Sequence, residues 1–198
     1  MSELQRLPLF PLSAVLFPRS RMGLHVFEAR YLDMIARCMQ AESTFGICLI
    51  ADGQEVGAPA LVHGVGVEAR IVDWDMSVPN LLGLTVRGQR RFHVLEQMAD
   101  KQGLVTGIVR WFDEPAVTAL PVEYEPLLPL LQMVVADAGE KIPLPHAFDD
   151  ADWVGFRYAE ILPIPPLARQ RLLELEDPLL RLSIVQSFLK ERGLLKPS

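Results

Sequence analysis

The sequence is poor in the residues on which most catalytic and metal chemistry depends. Only two cysteines occur among its 198 residues, Cys38 and Cys48, and they form no CxxC pair. One disulfide is the most they could make; their place in apolar patterns reads instead as two buried thiols in a reducing compartment. The only lysines are Lys101, Lys141, Lys190 and Lys196, all in or beside expected loops or helix ends, so none reads as half of a serine–lysine dyad. His25, His63, His93 and His146 are scattered, without HExxH or any paired ligand spacing. No GxxxxGK[ST] loop is present to cradle phosphates and no GxSxG elbow to raise a nucleophile. Long apolar runs are missing too: none approaches the roughly 20 residues that span a bilayer. The opening MSELQRL lacks the apolar core of a secretory signal. These absences point to a cytoplasmic, non-enzymatic protein with no membrane contact, no cofactor and no metal.

The net charge is -6, which opposes a chain whose main partner is nucleic acid, because phosphate binding needs the opposite field. Arg87, Arg90 and Arg91 could touch phosphates locally. No aromatic residues are interleaved with them for base stacking, so a structural role is the better reading, with Arg91 near Glu28 or another carboxylate. The acidic trio Asp149, Asp150 and Asp152 suits the start of a helix, with Asp149 as its cap, and needs no cation.

Half of the residues are hydrophobic, ample for a core. From Glu28, polar Arg30, Asp33, Arg37 and Gln40 recur every three or four residues, which predicts an amphipathic helix. Phe45 to Ala51 is apolar at both parities, a strand covered on both faces. Val65, Val67, Ala69 and Ile71 alternate with polar residues or glycine, as a half-buried strand requires. DWDMSVPN reads as a turn or loop. Alternation resumes at Leu84, is punctuated by Gly88, and runs on through Phe92 and Val94. Leu104 to Trp111 supplies another strand. About six strands with one early helix suggest a closed or nearly closed small barrel, since closure hides strand edges. After Pro121 helical periodicity replaces alternation: Tyr124 to Ala138, a helix from Asp149 to near Pro163, then PPLARQRLLELE, then a helix opened by Asp177 and Pro178. The expected organisation is α+β, with a β subdomain over residues 1–118 and a helical subdomain over 119–198.

The stretch LPLFPLSAVLFPRSRMGLHVFEARYLDMI, Leu7 to Ile35, is the most specific in the chain. Pro8, Pro11 and Pro18 remove backbone donors, so it reads as a proline-punctuated edge strand, a return strand ending at Phe27, and a helix from Glu28. It resembles the opening of the LON domain, the amino-terminal substrate-recognition domain of Lon proteases, which also occurs free-standing. LTVRGQRRFHVLE, with Gly88, Arg91 and Phe92, is similar to the family's second signature, and ILPIPPLARQRLLELEDPLLRL to its helical end. Ala29 stands where the family often has proline, and Arg19-Ser20 where a glycine is common after Pro18. The resemblance implies a PUA-like β pseudo-barrel followed by helices. It also implies recognition of polypeptide, such as unfolded segments or degrons, with the ATPase and protease domains of a complete Lon protease lacking.

Apolar residues on loops or strand ends are the candidate peptide contacts: Trp74, Met76, Trp111 and Phe112. Phe27, Glu28, Arg30 and Tyr31 are explained by folding alone. The alternative function is an adaptor that docks on a protease or another machine through the leucine-rich helices.

Overall fold

The prolines of the opening segment and the alternation after Val65 build one sheet. The structure, a computed structural model, describes residues 4–79, 81–113 and 117–195. The chain divides into two compact units, Met1–Glu114 and Pro115–Ser198. The first holds β1 (Leu4–Leu12), β2 (Arg21–Val26), α1 (Ala29–Gln40), β3 (Phe45–Asp52), β4 (Leu61–Val78), β5 (Leu81–Ala99) and β6 (Val105–Trp111). The second holds α2 (Leu128–Ala138), α3 (Ala151–Ile161), α4 (Pro166–Glu174) and α5 (Pro178–Glu191). The fold is mixed α+β.

The strands run in the order β2-β5-β4-β3-β1-β6, and β6 returns to pair with β5. Five strands therefore close a ring, while β2 lies outside it. The length of β5 makes this possible: Leu82–Arg87 pairs with β2 and Phe92–Ala99 with β6. β1 is not a simple edge strand. It pairs antiparallel with β6 through Leu4–Pro8, then parallel with β3 through Leu9–Leu12. Each half thus has one ladder partner, which is how an interior strand carries Pro8 and Pro11 without their missing donors.

Two sequence expectations are corrected here. DWDMSVPN is no loop as far as Val78, because β4 stays paired with β5 from Asp73↔Thr85 to Val78↔Leu81, with a shift of register between Asp75 and Val78. Gly88 does not break β5; it lets another segment approach. The Gly88 N–H donates to Ser20 O and Arg19 N–H donates to Gly88 O, both at 2.9 Å. A Cβ on Gly88 would lie 2.1 Å from the Phe17 carbonyl oxygen. Arg19 in that turn has φ of 63°, the left-handed region that favours glycine.

The barrel closes around Phe92, fully buried among Leu7, Leu9, Cys48, Val105 and Val109. Phe92 stands opposite Gly66, and Gly66 opposite Cys48. Cβ atoms on Gly46 and Gly66 would fall 2.5 and 2.6 Å from the Phe92 ring, so the two glycines form the slot that holds it.

In the second unit Leu127, Leu131, Val154, Tyr158 and Leu182 centre the core. Pro126 lies in a 3₁₀ turn at Val122–Leu127, so the expected helix from Tyr124 is helical in two kinds. The cap of α3 is Asp150 rather than Asp149: its Oδ1 accepts from Asp152 N–H at 3.0 Å. Asp177 caps α5 in the same way through Leu179 N–H, at 2.8 Å. Asp152 has a further partner, the buried Arg181, whose guanidinium also reaches the carbonyls of Leu172 and Leu175 and lies 3.9 Å above the Phe156 ring.

The glycine slot yields a test. Gly66→Ala should destabilise the protein by about 1–3 kcal/mol in urea unfolding, as overpacking against the Phe92 ring does. Gly64→Ala, where an added Cβ meets nothing within 4 Å, should leave the midpoint essentially unchanged.

Candidate functional site

Because β2 pairs with β5 and with no other strand among the described residues, its second edge is unladdered. A cleft of about 340 Å³ runs along that edge. Every residue from Met22 to Glu28 lines it, where a strand face would contribute only alternate residues. β1 shows its face instead, through Phe10 and Leu12, with Ala14 beyond. Tyr31 of α1 joins the lining, and Glu55 with Val56 form part of the rim. The cleft therefore combines an apolar floor with an open backbone edge, the geometry on which an extended chain can add as a strand.

The floor is held by charge and ring contacts around α1. Phe10 stacks on Tyr31 with centroids 4.2 Å apart, and the Arg30 guanidinium lies 4.7 Å from the Tyr31 ring centre. Burial pushes the Tyr31 phenol up, Arg30 opposes, and Glu28 and Glu55 add to the rise. Glu28 opens α1 but caps no helix N–H with its side chain. Its Oε2 instead pairs with Arg30 Nη2 at 3.0 Å, and Arg30 Nη1 donates to Gly103 O at 2.9 Å. Arg30 thereby ties the turn after β5 to the helix beside the cleft.

The four nominated apolar residues do not converge. Trp74 and Met76 are exposed on the outer part of the β4–β5 hairpin, at 55% and 57%. Trp111 sits opposite Phe92, with the Phe92 ring edge-on at 5.8 Å and Arg90 4.1 Å above its centre. Phe112 is buried, stacked on His93 at 4.0 Å with Arg91 4.4 Å from its centre. Trp74 opposes Leu84 and Trp111 opposes Phe92, eight residues apart on β5, or roughly 26 Å at strand rise. Arg91 does not meet Glu28, whose partner is Arg30; its guanidinium rests on Phe112. Arg90 reaches Glu68 at 3.3 Å.

Phe27, read from sequence as a strand terminator, is 54% exposed and lines the cleft. A signal was available: Leu24 and Val26 alternate inward, so an aromatic at 27 is out of phase. Among the described residues no group of three or more His, Cys, Asp or Glu could hold a metal ion. No helix there is long and apolar enough to cross a membrane. Cys38 and Cys48 are both free and buried, and burial pushes the Cys48 thiol far up.

The helical unit has its own groove, of about 280 Å³, between α4 and α5. Leu172, Leu175, Ile184 and Phe188 are among its walls, and Arg171 is its one charged residue.

Comparison with known proteins gives a consistent family. The model of the ATP-dependent protease La (LON) substrate-binding domain matches residues 6–191. The crystal structure of a Lon N-terminal domain protein from Xanthomonas campestris is similar over 92% of this chain and 98% of its own, with 37% identity and a TM-score of 0.79. The N-terminal domain of the Mycobacterium avium complex Lon protease shares the fold at TM-score 0.67 and 18% identity, over 94% and 98% of the two chains. No curated protein matches the sequence.

Arg30→Met keeps the aliphatic stem and removes the pair with Glu28 and the bond to Gly103. It should cost about 2–4 kcal/mol in chemical unfolding, mostly from polar groups left unmatched. Glu28→Gln, whose site is more open, should cost less. Equal costs would mean that the Gly103 contact contributes nothing.

Proposed function

The chain belongs to the family of ATP-dependent protease La (LON) substrate-binding domains, and on that premise we propose that its first unit captures extended polypeptide segments, unfolded stretches or degrons, in the cleft beside β2. The observation that carries this reading is the cleft itself: a strand edge without a second ladder, above Phe10, Leu12 and Tyr31. A segment laid on that edge would satisfy its backbone groups with β2 and bury alternate apolar side chains against the floor. Phe27 and Val56, each more than half exposed, would gain most from such cover. Trp74 opposes Leu84, which opposes Leu24 of the cleft lining, so it shares a cross-strand row with the site and is proposed, with Met76, as an outlying contact. The module binds without transforming what it binds. The two free thiols suit a cytoplasmic setting.

A reduced, carboxymethylated protein labelled for fluorescence anisotropy tests this. It should bind, and Phe27→Asp with Val56→Asp should weaken binding at least about tenfold, the loss expected when two apolar contacts become charged. The melting temperature should hold, since both side chains are exposed. No binding at high micromolar concentration would overturn the reading.

The groove of the helical unit favours a second role, as an adaptor. Its apolar walls and single cation fit an amphipathic helix of a partner protein that presents leucines and one carboxylate. An end-blocked helical peptide of that pattern should bind more tightly than the same peptide with glutamine for the acid. Arg171→Glu should erase that preference; a preference that survives would place the peptide elsewhere.

A further inference from the structure

Three arginines stand in register across neighbouring strands: Arg21 of β2 opposes Arg87 of β5, which opposes Arg70 of β4. Directly opposed residues point to the same face with Cβ atoms about 4.5–5.5 Å apart, and like charges so placed repel. Three other arginines of this unit have matched surroundings. Arg30 meets Glu28, Arg90 meets Glu68 and the Trp111 ring, and Arg91 lies on Phe112. The side chains of Arg21, Arg70 and Arg87 form no ion pair or hydrogen bond among the described residues. Arg21 and Arg70 are exposed, and Arg87 is half-buried. In a chain of net charge -6, three unmatched guanidiniums in one row are not the by-product of a basic composition.

We propose that this row is an anion subsite that receives an acidic segment of a polypeptide held in the cleft. The inference rests on the reading of the cleft given above and specifies its substrate class. Continuity supports it, because Arg21 immediately precedes Met22, where the cleft lining on β2 begins. A chain laid along β2 passes the arginine row as it leaves the cleft. Carboxylates there would cancel the mutual repulsion of the three cations and gain charge-assisted hydrogen bonds. The surrounding face favours a peptide over nucleic acid. The next rows hold Gly23, Thr85 and Asp73, then His25, Gly83 and Asp75. They offer no Trp, Tyr or Phe on which a base could stack. Both aspartates are engaged locally: Asp73 Oδ1 accepts from Trp74 N–H at 2.9 Å and Asp75 Oδ2 from the Ser77 hydroxyl at 2.5 Å.

The experiment uses the full chain and two labelled, end-blocked peptides of alternating leucine and serine. One is flanked on both sides by three glutamates, the other by three glutamines. Anisotropy should show the glutamate peptide binding about tenfold more tightly, as three partly exposed pairs provide. The advantage should shrink as salt rises from about 50 to about 500 mM. The triple variant Arg21→Gln, Arg70→Gln, Arg87→Gln should abolish it while leaving the glutamine peptide's affinity unchanged; removing like-charge repulsion should not lower the melting temperature. Equal affinity of the two peptides for the parent protein overturns the subsite and leaves the cleft reading intact. Failure of both peptides to bind overturns both. Retention of oligo-dT that the triple variant loses, without any glutamate preference, would assign the row to nucleic acid and reject the proposal.

Discussion

The first unit depends on the contact between the Phe92 ring and the backbones of Gly46 and Gly66. Barrel interiors leave room for few large side chains, and a ring at the centre must be matched by small residues on the strands facing it. Phe92 stands opposite Gly66, and the same row continues to Cys48 on β3 and Trp111 on β6. One aromatic, two glycines and a thiol thus decide how closely β3, β4 and β5 approach. The same strand, β5, carries β2 on Leu82–Arg87 and through it the cleft.

The strand left outside the closed ring is what gives the unit an open edge. A ring of β1, β3, β4, β5 and β6 hides most strand edges. β2 attaches outside that ring, and its far edge borders the apolar face of β1 instead of another strand. Proteins usually blunt such an edge because it invites unwanted pairing. On the function proposed above, an extended segment would use that same edge, which requires the floor beneath it to be apolar and held firmly. The Glu28–Arg30 pair and the Phe10–Tyr31 stack supply that firmness.

The arginines fall into two physical classes. Arg30, Arg91 and Arg181 are buried and rest on aromatic rings, and Arg30 and Arg181 also meet carboxylates and backbone carbonyls, so their charge is spent on holding elements together. Arg21, Arg70 and Arg87 lie in register with one another, and their side chains have no partner among the described residues. The linear sequence invited attention to Arg87, Arg90 and Arg91 because they are neighbours in the chain. Two of those three are structural, and the partners of Arg87 come from strands fifteen or more residues away.

Local chemistry was legible where it is settled within a few residues. The alternation of Val65 to Ile71, the amphipathic period after Glu28, the proline-rich turns and the Asp177 cap each reflect backbone geometry acting over one or two turns. The LON resemblance followed from such short patterns, because proline, glycine and aromatic spacing records the turns that a fold requires. Longer-range facts were not legible. That β4 continues from Asp73 to Val78 depends on β5 lying beside it, and that β1 sits inside the sheet depends on its exchange of β6 for β3. The cleft exists only because the far edge of β2 borders a face of β1, and the arginine row only because three strands share a register. Sequence by itself determined the elements, the family and the absence of familiar catalytic motifs. Tertiary structure alone decided which aromatic residues are buried, which edge is open and which charges meet, since each of those is set by partners distant along the chain.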